Sequence, residues 1–148
     1  MASAKRTDRE VFERCKNDPR WFIQRFLWIV GQNKKSMPLM LTPPQEKYYR
    51  ERSLTDLVLK DRKQGFSTII EALNLHACMF FENENAVTMA HTMEDTIIHL
   101  DRVRYFLQTM GFPEMRIEMP IDKDNERELY LSIGSDTLTG LVRRCALE

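Results

Sequence analysis

The residues best suited to chemistry lie in one short stretch, Lys60-Asp61-Arg62-Lys63-Gln64-Gly65-Phe66-Ser67-Thr68. Cations crowd its first half, and a glycine and two adjacent hydroxyls follow. The apolar run Leu57-Val58-Leu59 before it predicts a short buried strand, and Ser67-Thr68 predicts the opening of a helix. A glycine turn between strand and helix gathers unpaired backbone N–H groups at the positive end of the helix dipole. The chemistry that suits such a place is holding a phosphate. It needs amide donors, a cation near the β and γ oxygens, and a hydroxyl for Mg²⁺.

Set against the phosphate-loop pattern G-x-x-x-x-G-K-S/T, Gly65 and Ser67 are in register. Lys60 stands where the first glycine belongs, and Phe66 where the lysine belongs. The cation would therefore come from Lys60, Arg62 or Lys63. An ordinary glycine-containing βα turn accounts for the same residues, and the pattern alone leaves both readings open.

Other candidates are weaker. Gln45, after Pro43-Pro44, reads as a cap or surface residue, or more sharply as an amide that reads an adenine edge, since it both donates and accepts. His76 and Cys78 stand two apart on a predicted helix and do not share a face, so a packed histidine is expected there rather than a metal pair. Cys15, Cys78 and Cys145 are odd in number and widely spaced, which suggests free thiols in a reducing compartment.

The elements that must position the turn follow from pattern. A length of 148 residues, 43% hydrophobic and 30% charged, fits one soluble domain with a real core. Lys+Arg and Asp+Glu both number 22, so no overall basic charge announces nucleic acid. Residues 1–17 predict a short helix or loose arm, without the apolar core of a leader. Asp18-Pro19 predicts a helix start, with a helix from Arg20 to about Val30 stopped by Gly31. Its cluster of Trp21, Phe22, Phe26 and Trp28 reads as core or, less readily, as a base-stacking surface. It is too short and too charged to span a bilayer.

Gln32–Pro44 reads as a connection in which the prolines disfavour helix, and Gln45–Arg52 as a charged helix. A helix over Ser67–Phe81 buries Ile69, Ile70, Leu73, Ala77 and Phe80 on one side. Ala86–Ala90 predicts a second strand. Thr92 with Asp95 predicts the next helix start, and Gly111 its end. Alternation in Met115–Met119 and Leu129–Ile133 around a polar Asp122–Arg127 turn predicts an antiparallel hairpin. The tail from Ser135 has no evident partner. The sum is an α/β chain, a right-handed βαβ unit with an added ribbon.

The stretch Lys60–Thr68 resembles the deviant Walker A of tailed-phage terminase large subunits, many of which read roughly K-x-R-x-x-G-F-S-T. Upstream, Phe26–Val30 and Pro38-Leu39-Met40-Leu41-Thr42-Pro43-Pro44-Gln45 resemble the lead-in to that family's adenine-binding glutamine. Downstream, Ala90-His91-Thr92 and the hairpin with Gly134-Ser135 fall in the family's order. The resemblance implies a partial P-loop NTPase-like three-layer fold, a βαβα core plus a β-hairpin. Residues 1–44 would be a helical lead-in and 45–148 a truncated ATPase core. It implies ATP and Mg²⁺ as ligands, with Gln45 at adenine, Arg62 at phosphate and Lys60 and Lys63 as further cations. Gln64, Gly65 and Phe66 would line the loop, and Ser67 would meet Mg²⁺ or phosphate with Thr68 beside it. Asp61 departs from the small residue expected after the lysine.

The family packages duplex DNA into a procapsid in the host cytoplasm, meeting a portal and a small terminase subunit during virion assembly. No apolar strand ending in Asp-Glu and no nuclease carboxylates occur in these residues, so the resemblance implies the front half of a bacteriophage motor, incomplete for hydrolysis alone. The alternative is a non-enzymatic degenerate P-loop module that binds a protein partner or DNA, through Arg20, Arg25, Lys34, Lys35 and the Trp21/Trp28 pair. Neither reading calls for a membrane.

Overall fold

Asp18 starts the first well-packed helix as its spacing predicts. Its carboxylate accepts from the Trp21 N–H at 2.9 Å, and Pro19 takes a first-turn position that needs no N–H. The structure is a computed structural model that describes residues 2–60, 63–81, 84–110, 121–124, 129–133 and 143–147. In it, α1 (Ala2–Asn17) leads into α2 (Pro19–Phe26).

The helix predicted to reach Val30 stops at Phe26. Leu27 is extended, and Trp28–Val30 forms β1, antiparallel to β2 (Ser36–Pro38) inside what read as a plain connection. The bulky Trp28, Ile29 and Val30 suit a pleated surface better than a helix end. Gly31 and a left-handed Lys34 (φ 55°) close the hairpin. The helix α3 (Pro43–Glu51) starts two residues earlier than predicted, because prolines are tolerated in a first turn.

The core forms around α4 (Phe66–Phe80) and α5 (Met93–Thr109). Ile69, Ala72, Leu75, Cys78, Met79 and Phe80 of α4 are buried, whereas Ile70 is exposed and Leu73 is only partly covered. The buried side is thus rotated from the predicted stripe and wider than it. Phe22 and Ile23 from α2, Leu39, and Leu100, Val103 and Phe106 from α5 complete the core. Each fully buried large side chain contributes about 1.5–3 kcal/mol. Thr92 caps α5 as predicted, accepting from the Asp95 N–H at 3.1 Å.

The strand half of the prediction needs more correction. Leu57–Leu59 forms no strand: Leu57 and Leu59 are 90% and 91% exposed, and Leu54 is exposed as well. A three-residue segment cannot hold itself extended and buried without a neighbour to take its N–H and C=O groups. The βα crossover expected at 57–68 therefore exists only in its helical half. Of the strand predicted at Ala86–Ala90, only β3 (Asn85–Ala86) forms.

Three further strands complete a four-stranded sheet ordered β3-β6-β5-β4: β4 (Ile121–Asp124), β5 (Leu129–Ile133) and β6 (Arg143–Leu147). The β4–β5 pair is antiparallel, so the predicted second arm stands, whereas Asp122–Asp124 is strand rather than turn. Met115–Met119, Gly111 and Gly134-Ser135 lie outside the described residues. The tail does have partners: β6 runs antiparallel to β5 and parallel to β3. The architecture is mixed helix and strand, mostly helical. Among the described residues no helix is long and apolar enough to cross a membrane.

Candidate functional site

Gly65 is the hinge between the cationic turn and α4. It caps the helix in the left-handed region (φ 71°, ψ 19°), where a residue with a Cβ is strained. Lys63 is also left-handed (φ 67°), while Gln64 between them keeps an ordinary negative φ. Alternating handedness along successive residues turns neighbouring N–H groups toward one concavity, which favours an anion. The first intrahelical bond runs from the Ile69 N–H to the Gly65 carbonyl at 3.2 Å. The N–H groups of Phe66, Ser67 and Thr68 therefore have no acceptor within the helix. Ser67 and Thr68 sit in this first turn, half-buried.

Gln45 holds the turn from behind. Its side chain is buried and its Oε1 accepts from the Thr42 N–H at 2.9 Å, the capping-box bond at the start of α3. Its Nε2 donates to the Gly65 carbonyl at 2.8 Å and reaches the Gln64 carbonyl at 3.3 Å. A Cβ added at Gly65 would stand 2.6 Å from that Nε2. Both ends of the amide are thus hydrogen-bonded within the protein. Phe66 is buried against Tyr48 of α3, with ring centroids 5.8 Å apart at 71°. It anchors the turn on α3. Burial, helped by the Asp56 carboxylate, pushes the Tyr48 hydroxyl above its usual range.

Of the predicted cations, Lys60 and Lys63 are exposed at the turn. Neither joins an ion pair among the described residues. Arg62, with Asp61, lies outside the described residues. Gln64 is half-buried and contributes its carbonyl to the Gln45 contact. The structure thus brings Gln45, Gln64, Gly65 and Phe66 into one packed unit, with Ser67 and Thr68 beside it. Among the described residues no group of three or more His, Cys, Asp or Glu side chains could hold a metal ion. What the turn presents is the set of first-turn N–H groups of α4 without helical acceptors, beside the half-buried Ser67 and Thr68.

Away from the turn, His76 is the packed histidine that its spacing suggested. It lies among Phe22, Phe80 and Phe81, with Nε2 2.8 Å from the Cys15 carbonyl, and burial holds its pKa below the usual value. Of the residues proposed for a partner surface, Arg20 pairs with Glu46 at 3.2 Å, and Trp21 lies under the Arg14 guanidinium.

The structure bears out the cap reading of Gln45, which closes a capping box over Thr42-Pro43-Pro44-Gln45. One polar cluster has no counterpart in the sequence reading. Glu71, buried on α4, meets Arg102 Nη1 at 2.7 and 2.8 Å and also His99 Nδ1, both from α5. His99 and Arg102 stand three apart and share a face, but nothing in the sequence points that face at Glu71. No protein-family model matches the chain, and no curated protein matches it either.

Proposed function

We propose that this chain is the nucleotide-binding front part of a terminase-type DNA-packaging ATPase, and that the 60–68 turn holds the phosphates of ATP with Mg²⁺. The observation that carries the reading is the left-handed Gly65 cap, which leaves the first amides of α4 without acceptors beside two hydroxyls and two exposed lysines. A polyphosphate supplies the acceptors those amides lack. In this reading Ser67 meets the metal or a phosphate oxygen, Lys60 and Lys63 supply charge, and Arg62 takes the phosphate-contacting role that the resemblance gives it. The finer architecture we propose is the P-loop NTPase-like βαβα half, with Leu57–Leu59 taking up its strand once a neighbouring strand is supplied. The sequence contains no Asp-Glu pair of the kind that activates water in those motors, so in this reading the polypeptide binds without turnover. Duplex DNA, the portal and the small terminase subunit are partners of the intact motors it resembles.

Titration calorimetry with a non-hydrolysable magnesium–ATP analogue tests this. Binding that falls at least tenfold in Arg62→Ala and in Ser67→Ala is expected. No detectable heat at millimolar ligand, or affinity unchanged by Arg62→Ala, overturns the reading.

A second reading, a non-enzymatic module that binds a protein partner, is favoured by the exposed Leu54, Leu57 and Leu59 on one segment outside helix and strand. Contiguous exposed apolar side chains mark interaction surfaces. Leu57→Ser/Leu59→Ser tests it: in the partner-binding case the parent chain binds no MgATP analogue, and the double variant loses capture of the partner.

A further inference from the structure

We propose that Gln45 is a positioning residue that aims the amides of the glycine turn, and that the phosphate site is consequently indifferent to the base. The second half of this inference rests on the ATP reading above; the first half stands on geometry alone. Across a trans peptide the C=O and the following N–H point in opposite directions. Gln45 Nε2 draws the Gln64 and Gly65 carbonyls toward α3, at 3.3 and 2.8 Å. The N–H groups of Gly65 and Phe66, which belong to those same two peptide planes, are thereby turned to the opposite side. An anion gathered there lies across the turn from Gln45 and out of reach of its amide.

The other end of the side chain is equally committed. Oε1 accepts from the Thr42 N–H, and the residue is buried, so releasing the amide to read a purine would uncap α3 and free the turn together. One side chain thus couples the start of α3 to the start of α4. Its fit against Gly65, with no room for a Cβ, makes that coupling stiff.

Two variants separate the cap from the clamp. Gln45→Glu keeps an acceptor for Thr42, and glutamate is itself a capping-box residue. It cannot donate to the Gly65 carbonyl and sets oxygen against oxygen there. Gln45→Ala loses both contacts. The first readout is tryptic cleavage after Lys60, Arg62 and Lys63 in the full chain, which needs no ligand. Both variants should be cut at the turn roughly tenfold faster than the parent, the share of one or two hydrogen bonds. Cleavage within α3 should rise only in Gln45→Ala. The second readout is binding of MgATP, MgGTP and magnesium tripolyphosphate. The parent should bind ATP and GTP within about threefold of each other, and each variant should weaken all three ligands by one common factor.

Unchanged cleavage in Gln45→Glu would overturn the positioning role. A strong preference for ATP over GTP, abolished by Gln45→Ala while tripolyphosphate binding is untouched, would make Gln45 an adenine reader and sink the inference with the proposed function intact. If the parent binds none of the three, the proposed function fails and base indifference fails with it, while the cleavage rates still decide the positioning role.

Discussion

Gly65→Ala should be the most costly single-methyl change in the described part of the chain. Two terms add. An alanine at φ 71° carries the left-handed penalty, about 1–2 kcal/mol. Its Cβ would also stand 2.6 Å from Gln45 Nε2, which is no free end: the amide is tied to Thr42 and to two carbonyls of the turn. Pushing it aside forfeits the bonds to Gln64 and Gly65, at roughly 1 kcal/mol each. The sum is about 3–4 kcal/mol. Gly31→Ala is the internal control. Its Cβ would meet Met37 Sδ at 2.8 Å, but that sulfur is near the tip of an exposed, flexible side chain and can swing away. Its cost should be under about 1 kcal/mol. Equilibrium urea unfolding of both variants, and of Gly65→Ala on a Gln45→Ala background, measures the terms separately. On that background only the backbone penalty remains, so the double variant should be about 2 kcal/mol better than additive. Equal shifts for Gly65→Ala and Gly31→Ala, or strict additivity with Gln45→Ala, would refute the reasoning.

The remaining predictions concern the core. Arg102→Ala leaves the Glu71 carboxylate, 3% exposed, with His99 as its remaining partner, and should cost about 2–3 kcal/mol. Arg102 and His99 are 30% and 22% exposed, so Glu71→Met, which strands only groups that reach water, should cost less. Urea midpoints in the reverse order would contradict the pairing. His76 has a folded-state pKa below its usual 6.5, chiefly through burial, so the unfolded chain takes up the proton first. Its contribution to stability is complete above about pH 6.5 and declines as the pH falls below it. A Tm profile between pH 7.5 and roughly 5 should show the decline, and His76→Phe should flatten it. Burial pushes the Cys15 thiol up to about 12, and Cys78 is buried too, so iodoacetamide should label neither in the native protein. Peptide mapping that finds either residue modified at the rate of an exposed thiol would place the α1–α4 contact in error.

Helix-start signals in this chain are local, and those at Asp18 and Thr92 read correctly from the sequence. Asp18 and Thr92 start helices because their own side chains accept from N–H groups three residues on, whatever the rest of the chain does. The apolar spacing of α4 likewise predicts a helix at the right place, although only packing decided which side of it is buried. The candidate site divides along the same line. Its residue types, a glycine with hydroxyls after a run of cations, are visible in sequence. The spent amide of Gln45 and the burial of Phe66 under Tyr48 are not, because both depend on α3 lying against the turn.

Strands were the part that sequence could not decide. Leu57–Leu59 and Arg143–Leu147 are both short, yet the segment predicted as a buried strand lies exposed, and the one left without a partner sits between β3 and β5. A strand exists only where another backbone accepts its hydrogen bonds, and that partner is chosen by the tertiary structure. What the residues determined alone was the capped starts of α2 and α5 and the place of α4. The tertiary structure decided which segments pair, which face of α4 is core, and that the Gln45 amide is bonded to the turn as well as to its own helix start.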